Sequence, residues 1–148
     1  MKKFEFSMQK ILDLRDFERK QAETELGRAI AEETKIKQTL EMVAQKRVQC
    51  ITAADEMHDV RELYNANNYL VFLDRQKEEL LQQLAQAQLV TEQKREVMRE
   101  AMKKCKVLEQ LKDARHVAWK KAALKEEENT VDDIVTSRGG APAQSSQT

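Results

Sequence analysis

Apolar residues recur every three or four positions in two separate runs, which is the spacing of coiled-coil helices. In the first run, residues 8–57 with Met8 at a d position, 11 of the 15 a and d positions are apolar. In the second run, residues 70–122 with Leu70 at an a position, 11 of 16 are apolar. The second run does not continue the frame of the first. The pattern therefore predicts two long helices with a reversal between them.

The expected fold is all-α, with two long helices in an antiparallel coiled-coil hairpin and a disordered C-terminal tail. The expected segments are helix 1 over residues 4–58, a turn over 59–67, helix 2 over 68–135 and the tail over 138–148. The turn is placed by Asp59 and by an asparagine cluster in which Asn67 or Asn68 is expected to cap the second helix. Side chains of Asn and Asp cap helices because they bond nearby backbone groups. The tail "RGGAPAQSSQT" has the composition of a linker.

The composition suits this fold better than a globular domain. Charged residues make up 35% and aromatic residues 5% of the chain, which has one Pro and three Gly. Few large apolar groups means that no thick core is expected. Two cysteines do not make a disulfide framework, which favours the reducing cytosol. No apolar run is long enough for a secretory signal or a membrane span, so we expect a soluble cytoplasmic protein.

A hairpin that pivots near residue 63 predicts which residues become neighbours. Trp119 should lie beside residue 7 and form an aromatic clamp at the open end of the pair. The clamp is expected to contain Trp119, Phe4, Phe6 and Met8. Cys50 should face residue 76 and Cys105 residue 21, too far apart for a disulfide within one chain.

The sequence offers no group of residues that could carry catalysis. The histidines, His58 and His116, lack further metal ligands at the right spacing and are interpreted as surface or capping residues. Glycine-rich phosphate-binding motifs do not occur. Cys105 has three lysine neighbours that could lower the pKa of its thiol. However, it occupies a seam position and is interpreted as a core residue. We therefore expect no enzyme activity, no cofactor and no metal.

Charge is distributed unevenly although the net charge is zero. Residues 103–125 contain eight Lys or Arg and two acidic residues, and an acidic cluster at Glu126–Glu128, Asp132 and Asp133 follows. The basic run raises the hypothesis of nucleic-acid binding. A solvated face or a docking surface for an acidic protein is favoured, because Trp119 is its only aromatic residue. The acidic cluster is interpreted as a local counterweight, or as a device that repels wrong partners.

Three stretches of the chain follow one another in a characteristic order. From Phe4 to Leu26 the chain follows the pattern F-x-F-x-x-x-x-I-L-D-L-R-x-x-E-x-x-x-A-x-x-E-L, later reads "NYLVFLDRQKEEL", and then "REAMKKCKVLEQLKDARHVAWKKAALKEEENTVDDI". These stretches resemble the flagellar export protein FliJ family over about residues 4–135.

The resemblance implies a soluble, non-enzymatic component of the flagellar type III export apparatus. Members of the family form an antiparallel helical hairpin that stands like a stalk in the hexameric export ATPase. They also contact the cytoplasmic region of the export gate protein FlhA and bind some export chaperones. The resemblance therefore implies a cytoplasmic protein that is peripheral to the inner membrane, not inserted in it, and has no nucleic-acid partner.

The resemblance also implies two binding surfaces. The export-gate face is expected at Phe72, Tyr69, Gln76, Glu79, Gln83, Val43, Lys46 and Cys50. Residues 43 and 50 would lie opposite 83 and 76, which would make one continuous face. By analogy with the family, the ATPase-binding residues are expected at Lys103, Lys104, Lys112, Arg115, Lys120 and Lys121.

Phe72 and Tyr69 stand out among these residues because they are aromatic and fall outside the predicted seam. An exposed aromatic pair beside a turn calls for a partner. Two other functions stay open: a stalk or adaptor of a virulence type III secretion system, and a basic helical hairpin that binds nucleic acid.

Overall fold

The computed structural model describes residues 2–140, which form two long α-helices. Helix α1 comprises Gln9–Asp55 and helix α2 comprises Val60–Gly140, and the described chain contains no strand. The prediction of an all-α antiparallel helical hairpin is confirmed. Residues 138–140, expected to begin the tail, are helical, and residues 141–148 of that tail lie outside the described part.

The two heptad frames predicted from the sequence mark the inner faces of both helices. Seam residues of α1 that are buried are Leu12, Ala22, Ala29 and Val43. Seam residues of α2 that are buried are Leu73, Thr91, Ala101, Cys105 and Leu108. Most of these side chains are small, and only Leu73 falls to 1% exposure. Packing between the helices therefore depends on a narrow stripe rather than on a thick core.

The reversal occupies residues 56–59, several residues earlier than the asparagine cluster suggested. Asp59 is the N-cap of α2: its Oδ1 accepts a hydrogen bond from the backbone N–H of Arg61 at 3.0 Å, and its carbonyl accepts one from Leu63 at 3.1 Å. Asn67 and Asn68 lie within α2, so the prediction that one of them caps the helix is wrong. The cost of Asn inside a helix is only about 0.5 kcal/mol, which the burial of neighbouring seam residues offsets.

The N-terminal segment does not belong to α1, which begins at Gln9 rather than at residue 4. Phe4 is half-buried and Phe6 is buried, whereas Lys3 before them and Glu5 between them are exposed. This alternation is the period of an extended chain, not of a helix. The segment gives up helical pairing because it can then place two aromatic rings against α2.

The chain divides into two compact units. The first unit contains the described residues up to Asp16 and those from Lys103 onward, and the second comprises Phe17–Met102. Each unit consists of chain segments that run in opposite directions and pack side by side.

Pairing in both units is offset from the predicted pivot at residue 63. In the first unit, the indole N–H of Trp119 donates to the backbone carbonyl of Lys2 at 3.2 Å, five residues from the predicted neighbour. In the second, Arg47 pairs with Asp74 at 3.4 Å, and the thiol of Cys50 donates to the carbonyl of Ala66 at 3.6 Å rather than facing residue 76. In the second unit the offset follows from the earlier turn, and in the first unit Lys2 belongs to the extended segment before α1.

Candidate protein-interaction surfaces

Tyr69 and Phe72 form an exposed aromatic pair near the start of α2. Their side chains are 42% and 55% exposed, and the rings stack at 6.3 Å between centroids with 23° between planes. Residues three apart are neighbours on a helix surface, which explains the contact. Phe17 and Tyr64 are exposed as well, so what distinguishes this pair is the stacking of its two rings and not exposure alone.

The other residues of the predicted gate face divide into exposed and interior positions. Glu79, Gln83 and Lys46 are exposed, and Gln76 is half-buried. Val43 is buried at 5% exposure, so its side chain does not contribute to the surface. Cys50 is half-buried and points at the carbonyl of Ala66.

Helical spacing joins the exposed part of this set on one side of α2. Tyr69, Phe72, Gln76, Glu79 and Gln83 recur at intervals of three or four residues, which places them on one stripe. The predicted juxtaposition of 50 with 76 is wrong, because the turn lies earlier than residue 63 and the Cys50 thiol meets the carbonyl of Ala66. We call the stripe, named by these five residues, the aromatic stripe.

An aromatic cluster joins the N-terminal segment to α2 in the first unit. Phe4 meets His116 edge-on at 4.8 Å between centroids and Trp119 at 5.9 Å, and His116 stacks on Trp119 at 5.9 Å. Phe4, His116 and Trp119 are each half-buried. The ring contacts and the Trp119–Lys2 hydrogen bond dock the N-terminal segment onto α2.

Beside this cluster, Phe6 enters the apolar core of the first unit. The buried core residues are Phe6, Leu12, Cys105 and Leu108, with Phe4, Met8 and Leu111 packed against them. The guanidinium of Arg115 lies 5.7 Å from the ring centroid of Phe6 and donates to the hydroxyl of Ser7 at 2.9 Å. Cys105 is 2% exposed, as its seam position requires.

His116 is the residue of this cluster that sequence reasoning assigned elsewhere, since it was interpreted as a surface or capping histidine. A usable signal was its position three residues before Trp119, which places both rings on the same side of a helix. The Asp59 cap likewise had a sequence signature: Asp59 followed three residues later by Glu62 is a capping-box pattern.

The predicted ATPase-binding residues differ in how much of their charge faces water. Lys103, Lys104, Lys120 and Lys121 are exposed, and Lys112 is half-buried. Arg115 is exposed but already contacts Ser7 and Phe6. Four exposed lysines therefore carry most of the surface charge of this set.

A polar layer interrupts the apolar seam of the second unit. Thr91 is 3% exposed, and its hydroxyl donates to the carbonyl of Ala87 at 2.9 Å. The ammonium of Lys37, 3.2 Å from the Glu33 carboxylate, holds the pKa of that carboxyl below its ordinary value, with smaller contributions from Thr91 and Gln88. The Thr91 hydroxyl has one proton, so at any moment it donates either to the carbonyl of Ala87 or to the carboxylate of Glu33, but not to both.

The sequence of the chain matches a known protein family along nearly its whole length. Residues 4–143 of the 148 match the family described as Flagellar FliJ protein. The chain belongs to the FliJ family. Neither curated proteins nor solved structures gave a significant match.

Membership of the FliJ family indicates that the protein is a component of flagellar protein export, associated with the export apparatus. Neither helix, within the described residues, has a stretch long and apolar enough to cross a membrane. Among residues 2–140, no group of three or more His, Cys, Asp or Glu side chains is arranged to hold a metal ion.

Proposed function

We propose that the protein is a coiled-coil stalk that associates with the hexameric flagellar export ATPase and links it to the cytoplasmic region of the export gate protein FlhA. The observation that carries the proposal is the exposed, stacked pair of Tyr69 and Phe72. Aromatic side chains are enriched among the residues that dominate binding energy in protein interfaces. Membership of the FliJ family supports a partner within the flagellar export apparatus.

The gate contact is assigned to the aromatic stripe. The two rings would anchor the interface, while Gln76, Glu79 and Gln83 would form the polar rim that surrounds such anchors. Lys46 of α1 is exposed and is retained as a rim residue. Val43 and Cys50 support the stripe from the interior and make no direct contact in this proposal.

The ATPase contact is assigned to the exposed lysines of the first unit. A cluster of like charge attracts an oppositely charged surface and speeds association. We therefore expect the ATPase to offer acidic residues to Lys103, Lys104, Lys120 and Lys121. Escort of export chaperones and a peripheral position at the inner membrane are further parts of the proposal, supported by the family resemblance alone.

Binding to the purified cytoplasmic region of FlhA tests the gate contact. We expect Phe72→Ala to weaken binding at least tenfold and Tyr69→Ala to add to the loss, with helicity by circular dichroism unchanged. Tyr64→Ala is the matched control, because Tyr64 is 65% exposed on the same helix but about 80° or more around it from both rings. Equal loss in all three variants, or no binding by the unaltered protein, would contradict the assignment.

Stimulation of purified export ATPase tests the other contact. We expect Lys104→Glu to reduce stimulation and Lys77→Glu, an exposed charge reversal in the second unit, to leave it unchanged. If the unaltered protein neither binds nor stimulates the ATPase, the stalk function is wrong. Binding to duplex DNA or RNA that falls steeply with salt, without ATPase or FlhA binding, would favour the nucleic-acid hypothesis instead.

A further inference from the structure

The C-terminal part of α2 presents its whole circumference to solvent. Every residue from Leu124 to Gly139 is exposed, whereas Trp119 and Ala123 just before them are half-buried. A helix in this state has apolar side chains that contribute nothing to the core of its own unit. Their arrangement therefore indicates what else they do.

Three of these apolar residues recur at the coiled-coil interval. Val117, Leu124 and Val131 are 52%, 60% and 53% exposed and lie seven residues apart. Residues seven apart fall on one side of a helix. Val117 lies on the outer side of α2, since its neighbours His116 and Trp119 are the ones turned inward. The three residues form a second seam, distinct from the one that faces the core of the first unit.

Charge changes sign across the centre of this second seam. Lys120 and Lys121 precede Leu124 by four and three residues, and Glu127 and Glu128 follow it by three and four. All four are exposed. Leu124, Val131, Glu127 and Glu128 line a shallow surface groove together with Asp132. The residues three and four positions before Leu124 are therefore basic, and those three and four positions after it are acidic.

We propose that the second seam binds the same segment of a second copy of this chain, with the two helices antiparallel and crossing at Leu124. Leu124 then meets Leu124 of the second copy, and Val117 meets Val131. The same alignment brings Lys120 and Lys121 beside Glu127 and Glu128 of the second copy. By two-fold symmetry each of these contacts except the central one occurs twice.

Charge complementarity selects both the occupant and its direction. A parallel pair in the same register would place lysines opposite lysines and glutamates opposite glutamates, which is unfavourable. An antiparallel pair satisfies all four charges with the residues that the chain already carries. The segment is self-complementary when two copies run in opposite directions, and a symmetric, isologous interface requires a self-complementary surface.

The extent of the segment limits the strength of the association. Three apolar layers on single helices form an interface below about 1,200 Å², the range of weak and transient complexes. We therefore expect a dimer with a dissociation constant in the micromolar range. Because its ion pairs are exposed, we also expect it to weaken as ionic strength rises.

Sedimentation of the full chain over a concentration series tests the proposal. We expect reversible dimers that Leu124→Glu weakens at least tenfold, because it brings two like charges together at the symmetry axis. Val107→Glu is the matched control, since Val107 is 63% exposed on α2 and lies outside the second seam. A strictly monomeric protein, or an equal effect of both variants, would overturn the proposal.

Charge reversal gives a test that loss of folding cannot imitate. Lys120→Glu with Lys121→Glu should abolish the dimer, and so should Glu127→Lys with Glu128→Lys. All four substitutions in one chain should restore it, because the pairs are re-formed with exchanged signs. If the fourfold variant stays monomeric, the proposed alignment is wrong.

Cysteine crosslinking tests the direction of pairing, in a chain that carries Cys50→Ala and Cys105→Ala. Val117→Cys mixed with Val131→Cys should give a disulfide-linked heterodimer. Val117→Cys alone should not crosslink, because an antiparallel pair separates the two copies of residue 117 by about 21 Å at 1.5 Å per residue. Efficient crosslinking of Val117→Cys alone would overturn the antiparallel arrangement.

The self-association is independent of the proposed stalk function and can fail without it. Its tests need no ATPase, FlhA or chaperone, and Lys104 and Phe72, on which the functional tests rest, lie outside the second seam. The ATPase contact and the self-association share Lys120 and Lys121, which are proposed to bind both the ATPase and the second copy. A dimer would therefore compete with ATPase binding at these two residues.

Discussion

The two units pair their chain segments by different means. In the first unit the pairing is held by large side chains: Phe6 is buried, and Phe4, His116 and Trp119 contact one another through their rings. In the second unit the turn joins the helices covalently, and much of the seam between them is small or polar, with Ala29 and Thr91 as examples.

The difference follows from the entropy of bringing two segments together. In the second unit the turn limits how far the two helices can separate, so less burial is needed to pair them. Where no turn joins the segments, side chains must supply the whole free energy of pairing, and aromatic rings supply the most per residue. A polar layer adds little stability but penalises a shifted register.

Removal of the buried Phe6 ring from the first unit is the strongest test of this difference between the units. Phe6→Ala should lower the free energy of unfolding by about 3 kcal/mol, because it removes a buried ring and leaves a cavity. Urea unfolding followed by circular dichroism measures this. Phe17→Ala, at 56% exposure, is the control and should change stability by less than about 1 kcal/mol. Equal effects would mean that Phe6 does not hold the segment.

A smaller effect is expected for Trp119→Phe, which keeps a ring but loses the indole N–H that bonds to Lys2. The lost hydrogen bond should cost about 1 kcal/mol. Hydrogen exchange should quicken at the described N-terminal residues up to Asp16, and remain unchanged at the turn. Faster exchange at the turn as well would show that the two units open together.

At the turn itself, Asp59→Ala should cost about 1 kcal/mol, the usual value of a lost N-cap. Asn67→Ala is the informative control, since Asn67 lies inside α2 and Ala has the higher helix propensity. It should leave stability unchanged or raise it by a few tenths of a kcal/mol. Thermal unfolding measures both effects. A larger loss of stability for Asn67→Ala than for Asp59→Ala would show that the asparagine cluster, and not Asp59, caps the helix.

The smallest effect is expected in the polar layer, as a dependence on pH. The lowered pKa of Glu33 means that its contribution to stability is present above the ordinary value of 4.5 and is lost as pH falls through the lower folded value. Glu33→Gln should therefore reduce the loss of stability between about pH 5 and pH 3, measured by urea titrations. An unchanged pH profile would show that the Lys37 contact contributes nothing in solution.

The sequence predicted the pairing faces well but located the reversal poorly, and the reason is physical. Heptad spacing reports burial, and burial of Leu73 or Leu108 is a large free-energy term that few alternatives can match. The turn depends on differences of about 1 kcal/mol between competing caps. Three asparagines looked decisive, yet the single carboxylate of Asp59 makes the cap.

The residues of the candidate gate face on α2 were predicted better than those on α1. The reason is again that the seam is easier to locate than the turn. Tyr69 and Phe72 could be identified because large rings outside a seam must be exposed. The residues expected opposite them on α1 depended on the pivot, so its displacement left Cys50 facing Ala66. Val43 lies in the interior because it occupies a seam position. An error of a few residues in a loop is thus transmitted along the whole length of a paired helix.

The exposed end of α2 has a further consequence, which concerns how a helix begins. Starting a helix is unfavourable, whereas extending one costs little. Residues 125–140 are helical as an extension of the turns that Phe4 and Phe6 contact through His116, Trp119 and the core beside them. Release of the N-terminal segment would remove the packing nearest to this extension and so favour its fraying. The few residues before Gln9 thereby help to keep a segment far along the sequence helical.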